Sequence, residues 1–356
     1  MDYGWLSLLP PMVAVVMAIR SRNVILSLFC GGFVGTMIFC MGNPFLAVKS
    51  MIGDYFFVQL TDSYNAGVIV LVIFIGGFIK LMEKYGGAQA FSRFVYRFVN
   101  TKLKAQMCAW AGGILIFFSD LGTPLLVGPV FRPLFDKLKI SREKLAWILD
   151  STSSPVAILV PFIGWGVYIM GLIQAEFQNL GVTQSDYTTF VEAIPFQIYA
   201  ILAIIMIPLV AFTGKDFSQM GKAEKLAEKG AQSWEEEKEA EEETDGTYSV
   251  KNARPSMAHA FGISYAIAVG AVLSGGLFGD HCSPISDTTI LSSTGAQCDL
   301  VGHVKTQLPY AVVNGVIAFA AYLFAGLTGS PAAVALAVAA LVLVIFVWNK
   351  KEKDRA

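Results

Sequence analysis

Apolar runs of spanning or near-spanning length recur along the chain, at about 5–19, 24–41, 66–82, 104–118, 145–173, 190–213, 257–279, 307–327 and 332–348. Crossing a bilayer takes roughly 20 apolar residues in a helix. In hydrocarbon every backbone N–H and C=O must pair within its own segment, so helices are the predicted elements. Chain length and loops leave room for roughly eight to ten membrane segments in one bundle.

Basic residues orient the spans. Arg20 and Arg22 place the first connection in the cytoplasm, and Lys80, Lys84, Arg93, Arg97, Lys102 and Lys104 place the third there. The loop 42–65, with one Lys and two Asp, then lies outside. The next basic cluster (Arg132, Lys137, Lys139, Arg142, Lys144) would be external if 104–131 crossed once. A re-entrant hairpin near 104–136 resolves the conflict. Its turn is Ser119-Asp120-Leu121-Gly122-Thr123-Pro124, whose Gly and Pro break a helix and whose polar groups, Asp120 and Thr123 among them, need a protein-lined or wet cavity.

From Lys144 the chain crosses to a Lys/Arg-free loop, 174–189, and returns through 190–213 to a charged loop from Lys215 to Arg254. That loop contains WEEEKEAEEETD, a like-charge block that reads as a solvated linker. Continuing the count puts the basic tail NKKEKDR outside, against the positive-inside rule, as if an odd number of crossings were missing. The resulting division is 1–185, a first transmembrane repeat with the hairpin and a broken helix near 145–173; 186–256, a linking helix and acidic cytoplasmic loop; and 257–356, the remaining helices.

Composition agrees: 55% of residues are hydrophobic, 15% are charged and mean hydropathy is +0.59, outside the soluble globular range. The N-terminus lacks a basic n-region and reads as a retained helix. Cys30, Cys40, Cys108, Cys282 and Cys298 follow neither disulfide nor CxxC spacing and read as packing residues. Gly31-x-x-x-Gly35 and Gly275-Gly276 read as sites of close helix packing. There is no nucleic-acid signature, and no HExxH, GxSxG or Walker sequence, so neither an enzyme nor an ATP-driven pump is expected.

Two stretches carry the chemistry: LAWILDSTSSPVAILVPFIGWG around Asp150 and VLSGGLFGDHCSPISDTTILSSTGA around Asp280. In each an Asp precedes a Ser-Pro pair (Ser154-Pro155, Ser283-Pro284), and Pro opens the helix by removing a donor and displacing its predecessor from helical geometry. Freed carbonyls, half-helix ends and an intramembrane carboxylate together make a small-ion site, and the likeness of the two stretches suggests an internal repeat. Burial favours the protonated carboxyl whereas bound Na⁺ favours the ionised one, so the two ions compete; if the protein changes sides only when occupied, competition yields exchange. Thr152, Ser154, Ser283, Ser286, Thr288 and Thr289 offer further oxygens, although hydroxyls also satisfy helix backbone. Asp287 is either a second ligand or a helix-start residue. His281 suits gating or proton relay; its spacing from Cys282, Cys298 and His303 matches no zinc pattern, so no structural metal is expected.

GDHCSPISDTTILSSTGA (Gly279–Ala296), followed by DLVGHVKTQLPYA, resembles the NhaC family of bacterial Na⁺/H⁺ antiporters, as do LLPPMVAVVMAI near the start and LLVGPVFRPLFDKLKISREKLAWILDSTSSPVAILVPFIGWGVYI in the middle. The resemblance implies an all-α polytopic membrane protein, an inverted-repeat secondary transporter whose hairpins and broken helices meet at a central site. It implies that Asp150 with Ser154, and Asp280 with Ser283 and Asp287, line the pathway of Na⁺ and H⁺ across the bacterial inner membrane. The chain departs from the family twice. One acid, Asp120, stands at the hairpin tip where members usually have two. Several helices and a second hairpin are missing where Arg254-Pro255-Ser256 runs straight into the last part, so the second repeat is incomplete.

The expected partners are the lipid bilayer, a monovalent cation and the proton, with a second copy of the chain as a further candidate, and no cofactor. The alternatives are Na⁺- or H⁺-coupled transport of an organic anion or amino acid, of the malate or lactate type, and a non-transporting shortened homologue.

Overall fold

The computed structural model describes residues 4–21, 23–61, 99–230 and 264–353, with scattered positions between 66 and 85. Most of the apolar run at 66–82, the acidic block WEEEKEAEEETD and the Arg254-Pro255-Ser256 junction lie outside the described residues.

Every regular element among the described residues is helical. At the N-terminus α1 (Leu9–Ser21) and α2 (Val24–Phe39) form a hairpin. Asn23 caps α2 by accepting from the Leu26 N–H at 3.0 Å. Their contact requires Gly31: a Cβ there would lie 2.8 Å from the Ala14 Cβ and 2.9 Å from the Pro10 carbonyl oxygen. After α2 the chain bends by 115° into α3 (Pro44–Ser50), a π-helical turn (Met51–Phe56) and α4 (Phe57–Thr61).

The central bundle starts with α5 (Lys102–Leu115) and α6 (Gly122–Lys137), which pack on each other and are joined by a turn at 116–121. Next come α7 (Arg142–Thr152), the single turn α8 (Ser154–Ala157), α9 (Gly164–Leu180), α10 (Asp186–Ala193) and α11 (Ile198–Thr213). The last pair is bent by 42° where Pro195 interrupts the ladder. An amphipathic helix, α12 (Ser218–Lys229), closes this half. The second half comprises α13 (Tyr265–Cys282), α14 (Asp287–Ala296), α15 (Leu300–Thr328) and α16 (Ala332–Lys353). By length and composition α15 alone, among the described residues, suffices to cross a membrane; each of the two bent pairs adds a span only if counted as one. Pro and Gly divide the runs at 145–173 and 190–213, which looked continuous in sequence, into shorter helices.

One end of the bundle is pinned by buried ions. The Lys144 ammonium, 5% exposed, bonds to Asp216 and lies 3.6 Å from Glu224. Glu224 accepts from the Ser141 N–H and hydroxyl, both at 2.8 Å, and the Tyr310 hydroxyl donates to Asp216 at 2.9 Å. Lys102 reaches Glu228 at 2.8 Å and holds that carboxyl below its ordinary range. These contacts gather the starts of α5 and α7 and the end of α11 around α12.

Two aromatic contacts fix the direction in which the second-half helices run. Tyr265 opens α13 against Phe177, late in α9, with ring centroids 5.2 Å apart, so α13 starts at the end away from α12. Trp348, late in α16, meets Phe217, just before α12, at 5.0 Å. The C-terminal helix therefore ends on the same side as α12.

Another correction concerns Gly275 and Gly276, where an added Cβ would meet nothing within 4 Å. Close packing falls instead at Gly128 and Gly295: a Cβ on Gly295 would lie 2.2 Å from the Pro124 carbonyl oxygen, so α6 and α14 touch backbone to backbone. Gly275 and Gly276 sit on the outward face of α13, where the bundle makes no demand on their size.

Candidate functional site

Both aspartate helices stop in the same way. The Ser153 N–H bonds to the Asp150 carbonyl at 3.2 Å, and the Ser283 N–H to the Asp280 carbonyl at 3.1 Å. Pro155 and Pro284 then prevent straight continuation, because neither can donate to the preceding turn. At the second break Ser286 restarts the chain by capping α14, accepting from the Thr289 N–H at 3.4 Å. The breaks face each other in the middle of the bundle.

Asp150 is fully buried. Its Oδ2 accepts from the Gln307 amide nitrogen at 2.6 Å and from the Thr289 hydroxyl at 3.0 Å, with the His303 Nε2 at 3.5 Å. Asp280 is half-buried. Its Oδ1 accepts from the Ser286 hydroxyl and its Oδ2 from Thr288 at 3.0 Å. The Thr288 and Ser154 hydroxyl oxygens stand 3.2 Å apart, joining the two breaks. The His281 Nδ1 meets the buried Tyr199 hydroxyl at 3.0 Å, which leaves its Nε2 for another partner. Ligand atoms of Asp150, Asp280 and His281 lie within 4.8 Å of one another, a separation that one ion can bridge.

The remaining sequence candidates lie elsewhere. The Thr152 hydroxyl donates to the Ile148 carbonyl at 2.7 Å and packs on α5, where a Cβ at Gly113 would lie 2.0 Å from its Oγ1. The Ser283 hydroxyl accepts from the Ile285 N–H at 3.2 Å. Asp287 is exposed at the first position of α14 and accepts from the Thr288 N–H at 2.9 Å, the helix-start placement. At the α5–α6 turn Asp120 accepts from the Leu121 N–H at 2.9 Å and from the Trp165 indole N–H, while the Thr123 hydroxyl faces the carbonyls of Gly113, Ile116 and Ser119 at 3.4–3.5 Å. Cys282 and Cys298 pack against the apolar core.

Gln307, His303 and Tyr199 are the residues that sequence reasoning did not bring to the site. For the first two a signal existed: polar side chains four apart share a face of an otherwise apolar helix, and polar groups inside a span are rare without a partner. Tyr199 carried no such signal.

An all-helical bundle with two facing broken helices and an enclosed carboxylate pair defines a membrane transporter of the secondary class. The chain belongs to the Na⁺/H⁺ antiporter family, whose profile matches residues 5–164, 156–252 and 252–327. It is 24% identical to an uncharacterised protein of Haemophilus influenzae across 97% of this chain and 95% of that protein. The alignment runs over 502 positions against a chain of 356 residues, so the relative carries long stretches without a counterpart here. Over 83 residues, 23% of this chain and 18% of the relative, it is 40% identical to the Na⁺/H⁺ antiporter NhaC of Alkalihalophilus pseudofirmus. Over 74 residues, 21% of this chain and 15% of the relative, it is 36% identical to the malate-2H⁺/Na⁺-lactate antiporter of Bacillus subtilis. No solved structure matches the chain.

Proposed function

We propose that this antiporter exchanges Na⁺ for H⁺ across the bacterial inner membrane, with Asp150 and Asp280 as the shared site. The observation that carries the proposal is the meeting of both aspartates, from separate broken helices, with ligand atoms within 4.8 Å. Two carboxylates so close repel each other when both are ionised, and a proton or a cation between them relieves the repulsion. Na⁺ and H⁺ therefore compete, and a bundle that changes sides only with the site occupied exchanges one for the other. In this reading His281, whose Nδ1 meets the Tyr199 hydroxyl beside the pair, relays the proton. The ion-paired end around α12 faces the cytoplasm, as its basic residues require under the positive-inside rule.

The test is Na⁺-dependent recovery of a pH-dye signal in everted vesicles lacking native antiporters, comparing the parent with Asp280→Asn and Asp150→Asn at equal insertion. Recovery with the parent and with neither variant is the expected result. Recovery with both variants removes the aspartates from the mechanism. A silent parent defeats simple Na⁺/H⁺ exchange and leaves the shortened, non-transporting reading.

A second reading, coupled organic-anion exchange, is favoured by the match to the malate/lactate antiporter. Such a substrate needs a cation at the site, and the buried Lys144 is engaged by Asp216 and Glu224 instead. Malate or lactate added to the vesicle assay separates the two: a signal that needs the organic acid as well as Na⁺ selects the second.

A further inference from the structure

Gln307 holds an unusual position at the centre of the molecule. From α15 its amide nitrogen donates to the Asp150 carboxylate at 2.6 Å and to the His281 carbonyl at 3.1 Å. It thus bridges α7 and α13 beside the points where each is broken. Both partners are acceptors, so the amide orientation follows from chemistry: nitrogen must face them and oxygen must face away. That oxygen is buried, and no donor among the described residues reaches it. The same holds for Asp150 Oδ1, on the carboxylate that Gln307 grips. Two buried acceptors on two bonded groups, both without a donor, carry a desolvation cost that hydrogen bonding within the protein does not offset.

We infer that Gln307 is a ligand and selectivity residue of the cation site: its nitrogen fixes Asp150, and its oxygen joins Asp150 Oδ1 and the Asp280 carboxylate in binding a small monovalent cation. The inference rests on the reading of the aspartate pair as the ion site and adds a neutral oxygen to it. The donor set is hard oxygen, which suits Na⁺ or Li⁺. Carboxylates supply attraction for any cation, whereas the number and field strength of neutral oxygens bear on which cation is preferred. Buried amide oxygens at Gln106, Gln197 and Asn314 are likewise without a partner among the described residues; what sets Gln307 apart is its bond to the Asp150 carboxylate.

The experiment uses the purified full chain in proteoliposomes, reading half-saturating Na⁺ and Li⁺ and maximal rate for the parent, Gln307→Leu, Gln307→Glu and Asp280→Asn. Gln307→Leu, which removes the oxygen, is expected to raise half-saturating Na⁺ by roughly 10- to 100-fold, the range for losing a group that supports an ion site. Gln307→Glu, which keeps an oxygen and adds charge, is expected to retain exchange with an altered Na⁺/Li⁺ ratio. If Gln307→Leu does not fold, Gln307→Glu decides: a lower melting temperature or rate with the parental ion ratio means a bracing residue and overturns the inference. Parental half-saturation in both variants, with Asp280→Asn inactive, defeats the inference while the site reading stands. A parent silent to both ions defeats the site reading, and this inference with it.

Discussion

The two broken helices share a stop signal but occupy opposite environments. In α7 every residue from Glu143 to Thr152 is buried, although the segment is rich in polar side chains. In α13 burial is confined to a stripe (Ala266, Ile267, Gly270, Ser274, Leu277, His281), and the outward face is apolar, with Val272 71% exposed. The polar helix is inside and the apolar one lines the exterior, the reverse of a water-soluble bundle, because the surrounding solvent is hydrocarbon. The aspartates differ accordingly. Asp150 takes its partners from other helices, Thr289 on α14 and Gln307 and His303 on α15, whereas Asp280 is bonded by Ser286 and Thr288 from the segment just after its own break. One carboxylate is positioned by the tertiary fold and the other largely by its own loop.

The strongest way to break this contrast is at the base of α7. Lys144→Met leaves Asp216 and Glu224 buried without their shared cation and should destabilise the protein by roughly 3–5 kcal/mol, read as a fall in detergent melting temperature. Melting at the parental temperature would show that α7 is not clamped there. The glycines come next. Gly295→Ala drives a methyl into the Pro124 carbonyl and should cost about 1–3 kcal/mol, whereas Gly275→Ala and Gly276→Ala, facing open space on α13, should stay within ~0.5 kcal/mol.

The link between the halves is testable on its own. A double-mutant cycle on Ser154→Ala and Thr288→Val should give a coupling of about 0.5–1.5 kcal/mol, and additive effects would mean the breaks are independent. The smallest effect concerns Lys102 and Glu228 at the surface. Glu228 ionises more readily in the folded protein than unfolded, so its contribution is present above its ordinary range and is lost as pH falls through the lowered value. Because the carboxylate is exposed, Lys102→Gln should change stability by at most about 1 kcal/mol at neutral pH, and by less in acid. Limited proteolysis of α12 across pH measures it.

Much of this was legible from the residues. Pro155 and Pro284 mark both helix breaks, because a missing N–H acts wherever the residue sits. Asp150 and Asp280 were legible as intramembrane acids, since charge in hydrocarbon is too costly to occur without a partner. What was illegible concerns pairing across the chain. Thr152 and Ser154 are two residues apart and equally polar, yet one packs against Gly113 and the other meets Thr288. Gly275-Gly276 looked like the packing pair, while Gly128 and Gly295 make that contact from distant parts of the chain. The end of the bundle at which the C-terminal helix stops could not be counted from apolar runs, because it rests on a contact between distant residues, Phe217 and Trp348.

The sequence alone determined the solvent, the helical class, the places where helices open and the family, because each follows from local composition or from a contiguous motif. The tertiary structure alone decided that Gln307, His303 and Thr289 converge on Asp150, that Asp287 stays at a helix start, and that α12 clamps the base of the bundle. Those outcomes depend on distances between residues as many as 157 positions apart, and no local property of the chain encodes such a distance.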